Sequence, residues 1–92
     1  MATFFLFGKY SIEGIKDISA ERTTETKALI EENGGKMRAA YALMGKYDVV
    51  LIVEFPDFQK AMKTSVGLAK LLGIGFMTAP AVTMEEFDSL VG

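Results

Sequence analysis

Alternation is the clearest pattern in the chain. Residues 49–55 read VVLIVEF. In an extended strand this puts Val49, Leu51, Val53 and Phe55 on one side and Val50 and Ile52 on the other, with Glu54 the only charge. Residues 3–8, TFFLFG, repeat the arrangement, with Phe4 and Leu6 opposed to Phe5 and Phe7. A third extended stretch, KMRAAYALM over 36–44, sets Met37, Ala39, Tyr41 and Leu43 against Arg38, Ala40, Ala42 and Met44. The fourth, FMTAPAVT over 76–83, contains Pro80, which lacks a ladder donor and so predicts an edge strand or a bulge.

Two stretches between these follow helical spacing. Ser19 is placed to cap SAERTTETKALIEENGG, with Glu21 in the first turn and Gly34–Gly35 as the left-handed stop. Ala28, Leu29 and Ile30 are nearly all of its apolar content. Asp57 follows the strand-ending Pro56 and caps the second helix. There Phe58, Ala61, Met62, Ser65, Ala69 and Leu72 recur at three-and-four spacing, with Lys60, Lys63, Gly67 and Lys70 on the far side; the three lysines read as a solvated face and Gly67 as a place of close packing. Gly73 and Gly75 end it. Thr83 and Glu86 form a capping box over a short last helix whose Met84, Phe87, Leu90 and Val91 share a face. The segment YSIEGIKDI after the first strand is a connection able to hold a short helical turn.

The order is β-α-β-β-α-β plus a terminal helix. That predicts an α+β, ferredoxin-like fold with an antiparallel four-stranded sheet. Both main helices then lie on one face of the sheet and the other face is bare. Bare antiparallel faces are normally polar, yet here both sides of strands one and three are apolar. A second copy of the chain is the simplest cover, so a homodimer or higher homo-oligomer is expected.

Ninety-two residues predict one domain over 1–92. A net charge of −2 without a basic arm argues against nucleic acid as a partner. No apolar run is long enough to span a bilayer, and a cytoplasmic protein is expected. The chain has no histidine and no cysteine, which removes imidazole and thiolate as bases, nucleophiles or metal ligands. Any chemistry would run on Asp, Glu, Lys, Tyr, Arg or a hydroxyl, and no cofactor or metal site is predicted.

Candidate site residues cluster in GKYDVVLIVEFPD, residues 45–57. Gly45 and Asp48 suit a turn, Gly through positive φ and Asp by hydrogen-bonding its own backbone. Tyr47 suits an amphipathic anchor at a dimer rim. Glu54 interrupts an apolar strand. Its plain reading is an ion pair at a strand end; buried, it would have a raised pKa and qualify as a general base. Arg38 and Tyr41 are expected on opposite faces of strand two. The ligand-binding set expected from sequence is Tyr41, Lys46, Tyr47, Asp48 and Glu54.

The blocks YSIEGIKDIS, GGKMRAAYALMGKYDVVLIVEFPD and EEF together resemble the GYD domain family, small proteins of the dimeric α+β barrel type. The central block is the most specific of the three. The resemblance implies the fold and the pairing of copies, but carries over no activity. The same hairpin–strand–helix pattern is similar to the ligand-sensing RAM domain of leucine-responsive regulators, where a Gly-x-x-Asp turn lies at an effector site between subunits; by match, Gly45 and Asp48 would occupy it. Two functions follow as expectations. One is a dimeric ligand-binding or interaction module taking a small apolar or amphipathic ligand, between sheet and helices or at subunit contacts. The other is a cofactor-independent isomerase or monooxygenase with Glu54 or Asp48 as base.

Overall fold

The computed structural model describes residues 1–16 and 18–92. The elements run β1 (Ala2–Tyr10), α1 (Ile12–Lys16), α2 (Ala20–Glu32), β2 (Lys36–Ala42), β3 (Val49–Phe55), α3 (Phe58–Leu72), β4 (Ile74–Ala81) and α4 (Met84–Val91). The strands form one sheet in the order β2-β3-β1-β4, antiparallel throughout. This is the ferredoxin-like arrangement the element order predicts. The predicted connection after β1 holds the single turn of α1; its Asp17 lies outside the described residues.

The cross-strand register fixes which side chains share a face. Phe4 lies opposite Val53, and Leu6 opposite Leu51. These four, with Phe55, pack against Ile30 of α2 and Ala61, Leu68 and Leu72 of α3 to form the core. On the other face Phe5 is opposite Ile52 and Ala79, and Phe7 opposite Val50 and Met77. The predicted two-sided character of β1 and β3 is therefore present, with α2 and α3 both on the core side.

Three local expectations change. First, β2 is irregular: Lys36 and Met37 pair with Glu54 and Val53, but Ala39 pairs with Ile52, so Arg38 is an extra residue, a β-bulge. Beyond the bulge the faces exchange. Ala40 and Ala42 join Met37 on the helix side, and Ala39 and Tyr41 lie opposite Ile52 and Val50 on the helix-free side. Arg38 reaches Glu54 on that same side. The expected separation of Arg38 from Tyr41 is thus overturned by the one inserted residue.

Second, the buried face of α3 is rotated from the predicted one. Thr64 and Leu68 are buried, whereas Phe58 and Met62 are exposed. Apolar residues surround much of this helix, so spacing alone does not set its phase. The buried hydroxyls are satisfied within the helix: Thr64 Oγ1 donates to the Lys60 carbonyl and Ser65 Oγ to that of Ala61, both at 2.8 Å. Gly67 sits where α3 meets α2; a Cβ there would come within 3.2 Å of Leu29 Cδ2.

Third, the caps differ. Asp57 accepts the Lys60 N–H and Thr83 accepts the Glu86 N–H, as a cap requires. Ser19 has the extended backbone of an N-cap but makes no side-chain cap bond.

Candidate functional site

A cavity of about 280 Å³ opens between the first half of α2 and the helix side of β2 and β3. Small and polar residues create it. The second half of α2 carries Leu29 and Ile30, which pack on the core, but the first half presents Arg22, Thr23 and Thr26. Opposite them the bulged strand presents Ala40 and Ala42, which are too short to meet the helix. The floor and walls are Met37, Val49, Leu51, Leu72, Ile74 and Phe76; Tyr10, Ile18, Ser19 and Tyr41 complete the lining. It is a half-open hollow: Leu51, Leu72 and Ile74 form a buried floor, while Ile18, Ser19, Thr23, Ala40, Tyr41 and Ala42 along its rim are exposed. An apolar floor with a few hydroxyls at one side is the usual make-up of a small-molecule pocket, here just under the usual size range.

Arg22 holds the mouth of this cavity together. Its guanidinium donates to the carbonyl of Gly14 in α1, at 2.7 Å, and to that of Leu72 at the end of α3. Thr26 Oγ1 in turn donates to the Arg22 carbonyl at 2.7 Å. A Cβ on Gly14 would lie 2.9 Å from the carbonyl oxygens of both Leu72 and Gly73, so only glycine lets α1 approach closely enough for this bridge. No carboxylate is found among the described residues that line the cavity.

The residues singled out from sequence do not form one site. Tyr41 borders the cavity, although its register partner Val50 is on the other face of the sheet. Lys46 and Tyr47 belong to the helix-free side. There the Tyr47 ring lies 5.3 Å from that of Phe7, its hydroxyl is 3.3 Å from Met77 Sδ, and Lys46 Nζ is 5.8 Å from the Tyr47 ring centre. Glu54 is on the same side and pairs with Arg38 at 2.9 Å. Its β1 partner is Thr3, four positions from the Phe7 beneath Tyr47. That places Glu54 ~13 Å from Tyr47 along the strand, at ~3.3 Å per residue.

The Asp48 side chain reaches beyond its own turn. One carboxylate oxygen accepts the Tyr10 N–H at 2.9 Å and lies 3.8 Å from Lys9 Nζ. Its backbone N–H donates to Gly8, and its carbonyl accepts from Leu43, both at 2.8 Å. Asp48 thus fastens the β2–β3 connection to the end of β1. Gly45 within that connection has φ +128°, the positive value its role in a turn requires.

A model of the GYD domain family matches residues 4–91, from the first core phenylalanine to the last residue of α4. The chain belongs to the GYD domain family. No curated protein matches it. Among solved structures, this GYD domain is similar to the leucine response regulatory protein LrpA of Mycobacterium tuberculosis, at TM-score 0.59 and 8% identity. The likeness covers 89% of this chain and 51% of that one, so the GYD domain spans about half the regulator's length. At that identity the likeness is one of fold.

The cavity-lining Arg22, Thr23 and Thr26 of the GYD domain were not among the candidates read from its sequence. A signal for them is present: α2 is poor in apolar residues, and its polar Arg22 and Thr26 are four apart, on the side that faces the sheet. A helix with polar residues turned inward leaves space unfilled.

Proposed function

We propose that this GYD domain is a small ligand-binding module that works as a homodimer. The ligand occupies the cavity between α2 and the sheet, and a second copy covers the helix-free face. The observation that carries the reading is the apolar cavity made by Ala40, Ala42 and Thr26. Its volume is about 280 Å³, just under the roughly 300–1,000 Å³ of typical small-molecule sites. This suits a small amphipathic molecule. The apolar body would rest on Met37, Val49, Leu51 and Phe76, and one polar end would meet the hydroxyls of Ser19, Thr23 and Thr26. LrpA is named for its response to leucine, an amphipathic molecule of this size, so branched and aromatic amino acids and their keto and carboxylic acid analogues form the first panel.

Binding is favoured over general-base catalysis because both carboxylates proposed as bases have other partners. Asp48 holds the Tyr10 N–H and Glu54 holds Arg38. The test is a melting-temperature screen with that panel, followed by calorimetry. A true ligand at a hundred times its Kd stabilises the fold by ~2.7 kcal/mol. Ala40→Leu fills the cavity, so it is expected to raise the melting temperature without ligand and to abolish the ligand's effect. If no member of the panel shifts the transition, the proposed ligand class is wrong.

A further inference from the structure

The terminal helix α4 has an apolar face with nothing on it. At ~100° per residue, Met84, Phe87, Leu90 and Val91 fall within about a third of the helix circumference. None of the eight residues of α4 is buried, and Leu90 and Val91 remain 76% and 67% exposed. A second apolar stripe on α3 is about half exposed. Phe58, Met62 and Val66, each four residues from the next, are 45%, 52% and 54% exposed. The stripe borders the face α3 turns to the core through Ala61, Leu68 and Leu72: one side of the Phe58 ring stacks on core Phe4 at 5.8 Å, while Met62 and Val66 point away from it. Sheet-face pairing would not cover it, because α3 lies on the opposite side of the sheet.

The charges of the two helices are complementary. α4 carries Glu85, Glu86 and Asp88 and no basic residue; α3 carries Lys60, Lys63 and Lys70 and no acidic one. On α3, Lys63 and Lys70 project beside the stripe, next to Val66. On α4, Glu86 adjoins Leu90 on one shoulder of the apolar face and Asp88 adjoins Met84 on the other. An apolar stripe with lysines along its border fits an apolar stripe bordered by carboxylates.

We propose that α4 docks on the Phe58–Met62–Val66 stripe of α3 in a second copy of the chain. Val82 and Thr83 join α4 to the end of β4, beside Phe4 and Phe58 of the same chain, yet no residue of α4 is buried on its own chain, which leaves its apolar face to a stripe on another molecule. Reciprocal exchange about a two-fold axis would cover both terminal helices at once. This contact goes beyond the ligand site and is separate from sheet-face pairing, so the chain has two self-association surfaces, one on each side of the sheet.

The native chain lacks cysteine, so introduced thiols report the contact cleanly. Val66→Cys and Leu90→Cys chains are purified separately, mixed and oxidised. The expected result is a disulfide-linked heterodimer of the two variants, in large excess over either homodimer. Its yield should fall with rising salt, as for charges exposed to solvent. Lys63→Glu/Lys70→Glu in the Val66→Cys chain should abolish the cross-link, and Glu86→Lys/Asp88→Lys in the Leu90→Cys chain should restore it. The readout does not depend on sheet-face pairing, so Ile52→Asp introduced into both chains should leave the cross-link intact. Absence of the heterodimer overturns the proposal. So does a Val66→Cys/Leu90→Cys double variant that closes its disulfide within one chain at every dilution, because α4 would then dock on its own α3.

Discussion

The two faces of the sheet use the same strands and nearly the same residue types, and they come out differently. On the helix side, aliphatic and aromatic residues of β1 and β3 meet helices, and Phe4, Leu6, Val53 and Phe55 are almost fully buried. A hollow survives there only where α2 turns hydroxyls inward and β2 offers alanines. On the helix-free side the rings cover one another. Phe5 lies against Phe7, Phe7 against Tyr47, and Tyr47 reaches Met77. Val50 is thereby reduced to 8% exposed without any helix above it. Apolar alternation therefore marks a strand as two-sided but does not say what fills each side. The size of the residues opposite decides between a packed core, a pocket and a surface awaiting a partner.

This contrast can be broken most severely on the helix side. Phe55 is fully buried, with its ring 6.3 Å from that of Phe4. Phe55→Ala should cost ~3–5 kcal/mol in denaturant unfolding, a large part of a small domain's stability. On the helix-free side the largest effect should be on assembly. Ile52→Asp puts a charge in the middle of the exposed apolar face and should reduce the sedimenting mass to that of the 10.1 kDa chain, or cause aggregation. An unaltered mass would mean that this face does not pair.

Asp48→Ala tests the link between the faces, because the β2–β3 connection carries Tyr47 over one face and is pinned to β1 by Asp48. Losing a charged acceptor for the Tyr10 N–H should cost ~1.5–3 kcal/mol. It should also raise hydrogen exchange at Tyr10 and in residues 43–48. Glu54→Gln should have the smallest effect, under ~1 kcal/mol, because Arg38 is half-exposed and surface pairs contribute little. A loss of ~3–5 kcal/mol would instead indicate that a second copy buries the pair. The smallest effect in the isolated chain would then become a probe of the interface.

Much of the fold could be read from the residues. Strand β3 has the bounds its sequence predicts, and Asp57 and Thr83 cap their helices through the side-chain bonds expected of them. The order of elements was enough to place both main helices on one face. The site was much less legible, because it depends on what is missing between elements. The cavity exists because Ala40 and Ala42 face Thr26 across a gap, and that pairing follows from a bulge with no marker residue at Arg38. Strict alternation through β2 groups both alanines with Arg38, whereas the bulge sets them beside Met37. Glu54 stands out as a charge in an apolar strand, yet its partner Arg38 is the extra residue of the bulge.

The bulge also gives β2 a reserve of length that its neighbours lack. In β1 and β3, where the ladder is regular, losing one residue would turn every side chain on one side of the gap to the opposite face. In β2 a deletion among Arg38, Ala39 and Ala40 could be absorbed by closing the bulge, with Tyr41 and Met37 keeping their places. Single-residue gaps among relatives should therefore collect in this stretch and be absent from β1 and β3. A relative shortened at Arg38 itself would keep the sheet, the alanine-lined hollow and the aromatic face, while Glu54 would stand without its cation.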